Sequence, residues 1–175
     1  PFNDPEGNGA FFANLPDLLS SVNSIQIQRG VGTSTNGAGA FGGTINLSTT
    51  EIARQPYFES NNSVGSFNTV KNNIRVGTGL NGNHFTADLR LSQMKSDGYV
   101  DRAYTDLRSY YFSAAYLADK TTLRFTTFSG NEKTYQAWNG VSEADLKNRR
   151  TFNSAGTERP GSPYDNETDN YKQDH

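Results

Sequence analysis

The chain has 175 residues, 16 basic against 18 acidic side chains, a formal net charge of −2 and no cysteine. That length suits one or two domains, and the balanced charge argues against a nucleic-acid partner, which normally demands a concentrated basic surface. The absence of cysteine excludes disulfide scaffolds, thiolate metal sites and cysteine nucleophiles. Leu, Ile, Val and Phe total 34 residues, just under the fifth at which disorder becomes the alternative. Aromatic residues nevertheless make up 12% of the chain, so it is expected to fold, but not around a conventional oily core.

In chain order, Pro1-Phe2-Asn3-Asp4 is an unusual opening and gives the expectation that the sequence is a fragment of a longer protein. Asn14 to Val22 predicts a short helix, with Leu15, Leu18, Leu19 and Val22 at helical spacing and Pro16 in an early position where a missing N–H costs nothing. Ser24 to Arg29 predicts a strand, and Thr44 to Thr49 another. Between them lies a glycine-rich loop from Gly30 to Gly43, whose Gly37-x-Gly39-x-x-Gly42 matches the dinucleotide fingerprint in letters alone. That fingerprint requires a helix whose N-terminus holds the pyrophosphate. Here a β-branched, alternating run follows, so the glycines are read as backbone devices instead.

Beyond residue 56 the period changes to two. Tyr57 to Phe67 predicts a first strand with a weak apolar face. In Thr69 to Leu80, Val70, Ile74, Val76 and Leu80 alternate with Lys71, Asn73, Arg75, Gly77 and Gly79. Asn81-Gly82 is a hairpin signal. After it Phe85, Ala87, Leu89 and Leu91 alternate with His84, Thr86, Asp88, Arg90 and Ser92, and His84 is expected on the polar face with Asp88. Ser109 to Ala118 places Tyr110, Phe112, Ala114 and Tyr116 on one side, and Leu123 and Phe125 continue the pattern after the turn at Asp119-Lys120. Five strands are predicted here, with a sixth beginning near Asp169.

Short turns at Asn81 to Asn83 and Asp119-Lys120 alternate with a long connection from Lys95 to Asp106 and a polar stretch of roughly forty residues after Ser129. Such asymmetry, with strands of about ten residues, describes an outer-membrane barrel. A soluble antiparallel sheet with one wet face fits the alternation equally well; loop asymmetry favours the barrel. Tyr57, Phe67, Tyr99, Tyr104 and Tyr110 are candidates for its aromatic girdles.

Ser24-Ile25-Gln26-Ile27-Gln28-Arg29-Gly30, then Gly32-Thr33-Ser34, then Gly37-Ala38-Gly39-Ala40-Phe41-Gly42-Gly43-Thr44-Ile45-Asn46-Leu47 resembles the plug signature of TonB-dependent outer-membrane receptors, closest in style to those of Bacteroides-type bacteria. Asp97-Gly98-Tyr99 resembles a loop of the same family. The resemblance implies a mainly β chain: residues 1–52 the C-terminal part of a plug domain, and residues 53–175 the first five or so antiparallel strands of a 22-stranded transmembrane β-barrel. It implies import of a scarce, bulky nutrient (iron chelate, haem, cobalamin or oligosaccharide) across the outer membrane of a Gram-negative bacterium. TonB would be engaged through an N-terminal segment absent from this sequence, with outer-membrane lipid and a small-molecule or oligosaccharide ligand as the other partners.

The same resemblance assigns Arg29 to a plug–barrel contact, against the alternative of a solvated strand-end arginine. It places Thr33, Ser34, Thr35 and Asn36 in a loop that touches substrate in some members, although small polar residues also serve loop turns. Tyr99, Arg102 and Trp138, with Tyr104 and Tyr135, lie in two outer loops and are candidates for ligand contact or for the membrane boundary. His84 and His175 are too few to suggest a metal site, and Asp165 to Asn170 lacks the central glycine of a calcium loop. No catalytic constellation, cofactor motif or metal-ligand spacing is found, so a non-enzyme is expected. The competing reading is a soluble β-rich adhesin or carbohydrate-binding module.

Overall fold

The computed structural model describes residues 15–31, 41–49, 52–156 and 172–174. Two antiparallel sheets carry the described chain. Strands β1 (Ser24–Arg29) and β2 (Gly43–Ser48) form the smaller one, in a register from Ser24↔Ser48 to Arg29↔Gly43. The larger sheet runs in strict sequence order through β3 (Tyr57–Gly65), β4 (Thr69–Gly77), β5 (Phe85–Ser96), β6 (Thr105–Ala118), β7 (Thr121–Tyr135) and β8 (Lys172–Asp174). One short helix, α1 (Glu143–Asn148), interrupts the segment after β7. The protein is therefore mainly β with antiparallel sheets, as expected.

Sequential pairing of every neighbour is the topology that short hairpin turns dictate. Ser66, Phe67 and Asn68 close the first hairpin, with Phe67 and Asn68 both left-handed (φ 59° and 52°). That geometry ends β3 at Gly65, two residues earlier than the alternation suggests. β4 stops at Gly77 rather than Leu80, because Gly79 turns the chain at φ 65° against the backbone of Gln55 and Pro56. Asp119 and Lys120 make the predicted two-residue turn, pairing Ala118 with Thr121. β7 runs six residues beyond Ser129, to Tyr135. Its apolar pattern fades there, but the main-chain ladder to β6 continues through Thr105↔Thr134, and a ladder needs no apolar side chain. The expected sixth strand begins at Lys172 and pairs with Lys133 to Tyr135. α1 falls in the stretch expected to be loop. Ser142 caps it by accepting the Asp145 N–H at 3.1 Å, a Ser-x-x-Asp pattern readable in the sequence.

The pleat sorts the side chains of the large sheet into two opposite populations. One face, here called inner, is covered by residues 15–22 and by the end of β2. It carries Lys71, Asn73 and Arg75 of β4, Thr86, Asp88, Arg90 and Ser92 of β5, Ser109, Tyr111 and Ser113 of β6, and Arg124 of β7, aligned by the register. The outer face carries Ile74 and Val76, Leu89 and Leu91, Tyr110, Phe112 and Tyr116, and Leu123 and Phe125. The burial is inverted relative to an ordinary globular sheet. Asn73, Thr86, Arg90, Ser92 and Ser113 are buried, while Ile74, Leu91 and Phe125 are 42%, 50% and 60% exposed.

Two sequence expectations are corrected by this sorting. Tyr57, expected in an outer aromatic girdle, faces inward. It lies opposite Gly77, its hydroxyl donates to Asp88, and Arg75 stacks over its ring at 5.3 Å. Only a residue without a side chain at 77 leaves room for it, since a Cβ there would fall inside the Tyr57 ring. His84, expected on the polar face, stacks instead on outer-face Tyr116 with ring centroids 5.8 Å apart, and its Nδ1 approaches the Leu117 carbonyl at 2.7 Å. Lying just before β5, its ring follows the turn rather than the pleat.

The Tyr57–Gly77 fit generates a test. Gly77→Val should destabilise the protein by roughly 1–3 kcal/mol through overpacking, and a second substitution, Tyr57→Ala, should recover part of the loss. Thermal unfolding of the three proteins checks this.

Candidate functional site

Pro16 and Asp17 begin the site. Pro16 lies against Gly130 of β7, where a Cβ would meet the proline ring at 2.6 Å. This close approach seats the chain on the sheet. Asp17 then adopts a left-handed conformation, φ 54°, which aspartate tolerates better than most residues. The expected helix shrinks to a single 3₁₀ turn, Leu18–Ser21, because the left-handed residue prevents an α-helix from starting earlier. The turn places Asp17, Ser20 and Ser21 toward the inner face.

The Asp17 carboxylate gathers donors from three elements. Oδ1 accepts from Ser20 Oγ at 2.6 Å and from Lys71 Nζ at 2.6 Å. Oδ2 accepts from Asn73 Nδ2 at 3.1 Å, from Arg90 at 3.4 Å and, more closely, from the Ser92 hydroxyl. Arg90, 2% exposed, also donates from Nε to Ser21 Oγ at 2.6 Å and from Nη1 to Ser109 Oγ at 3.2 Å. Burial alone would push the Asp17 carboxyl up. The hydrogen bonds from Lys71, Ser20 and Ser92, with the Lys71 charge, outweigh that and hold it below the ordinary carboxylate range. A buried guanidinium that depends on such partners is expensive to disturb, since losing its carboxylate strands a charge in a low dielectric.

Further along the inner face, the Tyr111 hydroxyl donates to Thr49 Oγ1 at 3.0 Å, tying the end of β2 to β6, and its ring stacks on Phe128 at 6.4 Å. Pro16 to Ser21 and Thr49 are thereby fastened to β4, β5, β6 and β7. This arrangement holds one segment against another; it offers no exposed nucleophile or acid–base pair. Among the described residues no cluster of His, Asp and Glu is arranged to hold a metal ion.

A second polar constellation joins the two long connections. Arg102, left-handed at φ 63°, donates to the carbonyls of Asn153 at 2.7 Å and Ala155 at 2.8 Å, and lies over the Tyr135 ring at 5.8 Å. Buried Asn153 donates to the carbonyls of Asp101 at 3.1 Å and Gln136 at 2.9 Å. The Asp101 N–H completes the clasp on Thr151 O at 2.7 Å.

The residues singled out from sequence separate accordingly. Arg29 ends β1 exposed and makes no ion pair among the described residues. Thr33, Ser34, Thr35 and Asn36 lie outside the described residues, as do Asp165 to Asn170 and His175. Tyr99 packs edge-on against Phe67 at 5.5 Å, Arg102 belongs to the loop clasp, and Trp138 is 67% exposed. The structure brings Arg102 over Tyr135, while Tyr99 packs on Phe67 and Trp138 is open to solvent. Sequence reading missed Asp17 as the anchor. Its only signal was an acidic residue after a proline, facing an arginine and a lysine more than fifty positions away. Comparison with family models, with curated proteins and with solved structures matched none of them to this chain.

Three outcomes follow. Asp17→Ala should cost about 3–5 kcal/mol, because it leaves Arg90 buried without its counter-charge. The carboxyl is depressed in the folded state, so its contribution is complete above the unfolded value near pH 4 and is lost as pH falls through the lower folded value. Denaturant melts from pH 6 downward to about 2 should therefore show an acid-side loss that Asp17→Asn lacks. In the loops, Arg102→Ala should open the clasp and speed tryptic cleavage after Lys147, Arg149 and Arg150, with global unfolding little changed; timed digestion reads this directly.

Proposed function

We propose that the chain is part of a TonB-dependent outer-membrane receptor: residues 1–52 the end of the plug, residues 53–175 the opening strands of a 22-stranded barrel. Its function is to import a scarce, bulky nutrient (an iron chelate, haem, cobalamin or an oligosaccharide) with energy coupled through TonB. It is a transporter component and not an enzyme.

One observation carries this reading: the inversion of the two faces. A sheet in water hides its apolar side and wets its polar side. Here the polar side is covered by residues 15–22 and Thr49, and a contiguous apolar side faces out. Exposed apolar area costs about 25 cal/mol per Å² in water, a penalty that disappears in hydrocarbon. A polar inner face is what a barrel lumen requires, and residues 15–22 with Thr49 lie against it as part of a plug would. β6 and β7, with 14 and 15 residues, reach roughly 48–51 Å at about 3.4 Å per residue. Tilted by about 40°, they would cross a ~30 Å hydrocarbon layer with several residues to spare. The spare residues are at the long-loop end, where Lys95, Asp106, Arg108 and Lys133 replace the apolar outward positions. The plug-like sequence from Ser24 to Leu47 adds an independent argument, and its observed β1–β2 pairing suits the role.

The deciding experiment is membrane fractionation of cells expressing the full-length protein, followed by electrophoresis with and without boiling. The expected result is an outer-membrane species that needs detergent and changes mobility on heating. Leu89→Arg, in the middle of the outward apolar band, should cost about 2–4 kcal/mol of folding in lipid and reduce the heat-modifiable form. A detergent-independent monomer indifferent to Leu89→Arg would overturn the reading and leave a soluble adhesin or carbohydrate-binding module in its place.

A further inference from the structure

The chain reverses between β4 and β5 at Gly82 and Asn83, both left-handed at φ 57° and 61°, and the main-chain bonds of this turn converge on Asn81. The Asn81 N–H donates to the Phe85 carbonyl at 2.7 Å. Its own carbonyl accepts from the His84 and Phe85 N–H groups at 3.1 and 3.0 Å. The Asn81 side chain takes no share in this. Asn81 is exposed, and among the described residues its amide makes no hydrogen bond. Gly82 is equally open, with nothing within 4 Å of where a Cβ would stand. The left-handed turn favours glycine there, so the residue type that leaves its nitrogen least crowded directly follows the asparagine.

Such a pair carries its own chemistry. When the Gly82 nitrogen attacks Cγ of Asn81, an N–Cγ bond forms, the Cγ–Nδ2 bond breaks and a cyclic imide results. The Gly82 amide proton leaves with the side-chain nitrogen as ammonia. Water then opens the imide at Cγ to give aspartate, or at the main-chain carbonyl to give isoaspartate. Ring closure needs rotation of the Asn81 main chain, so it proceeds from states in which this exposed turn has opened locally. No side-chain bond has to break as well.

The sequence contains four Asn-Gly pairs, of which those at Asn8 and Asn36 lie outside the described residues. The remaining one, Asn139-Gly140, also has an open glycine. Its amide is held at both ends: Nδ2 donates to Ser154 Oγ at 3.1 Å, and Oδ1 accepts from Gln136 Nε2 at 3.0 Å. Asn139 is half-buried, and buried Asn153, next to Ser154, holds the Gln136 carbonyl. Freeing the Asn139 amide therefore means loosening the loop clasp. We infer that Asn81 is a site of spontaneous imide formation and deamidation in the folded protein, and that Asn139 is protected by its side-chain partners. The product puts a carboxylate, and in the isoaspartate form an extra main-chain methylene, at the residue on which the turn's bonds converge. This chemistry operates whether or not the sheet lies in a membrane.

The test incubates the purified full-length protein in mild detergent and heavy-oxygen water at mildly alkaline pH, beside a sample unfolded in guanidinium chloride. Peptide mapping by mass spectrometry then reads the heavy oxygen gained at each asparagine. Each folded-state rate is divided by the rate of the same residue in the unfolded chain. On that scale Asn81 should exceed Asn139 by roughly tenfold, the effect of two side-chain hydrogen bonds that must break before the ring can close. Gln136→Ala combined with Ser154→Ala should raise the Asn139 rate toward that of Asn81, and Lys147→Gln on α1 should change neither. Equal scaled rates in the folded wild type, or a faster Asn139, would overturn the inference. So would an Asn81 that stays unlabelled while the unfolded chain becomes fully labelled. An Asn139 rate that the double variant leaves unmoved would overturn the protection; the wild-type comparison stands without any variant.

Discussion

The meeting of Asp17 with Arg90 is the constraint on which the rest of the described structure depends. A guanidinium in the middle of a sheet face, almost wholly shielded from water, is tolerable only if a carboxylate and enough hydroxyls reach it. β5 supplies the cation, and Lys71, Asn73 and Ser92 supply companions that leave no oxygen of the carboxylate idle. The counter-charge comes from a segment that precedes Arg90 by 73 residues. The local cost is accepted openly: a left-handed aspartate and a helix cut down to one 3₁₀ turn. Register in β4 and β5 follows from this junction too, because a one-residue slip would turn Arg90 and Asn73 to the opposite face.

The same junction explains why the sheet has an inside without having an oily core. Among the described residues the most shielded side chains are largely serine, threonine, asparagine and arginine, with Tyr111 and Ala115 among them. They are shielded by a polar turn and by the end of β2, not by a second apolar layer. Apolar side chains are left on the other face, where none of the described residues covers them. Under the proposed function these two facts have a single cause: the sheet separates lipid from a filled lumen, and the plug is fixed to the wall by hydrogen bonds that can be exchanged for water. An apolar plug–wall contact would bind at least as well but would offer no comparable exchange on release.

The long connections obey a different logic. Arg102 and Asn153 contribute side-chain donors to backbone carbonyls, so the loops are held by polar satisfaction of main chain around buried Tyr135 and Ala155. An exposed Trp138 beside such a clasp is presented on a fixed support. Arginine and tryptophan in loops look alike to a sequence reader as ligand contacts. The difference between them, one spent on carbonyls and one open to solvent, arises from partners far along the chain.

Much of the architecture was legible in the order of the residues. Alternation in Thr69 to Val76 and in Phe85 to Ser92 specifies strands and divides their faces, because the pleat has a period of two. Asn81-Gly82 and Asp119-Lys120 specify where the chain reverses, and reversal at short range makes the neighbours antiparallel. The polar run from Gly130 to Tyr135 hid a continuing strand, since main-chain pairing with β6 leaves no trace in hydropathy. Tyr57 read as a boundary aromatic because its inward seat depends on Gly77, a strand away. Above all, alternation distinguishes two faces without saying which one is covered. That was decided only when the turn at Asp17 closed over Lys71, Asn73, Arg90 and Ser92, for burial is a property of what packs against a face, and charge pairing across fifty residues is a property of the folded chain alone.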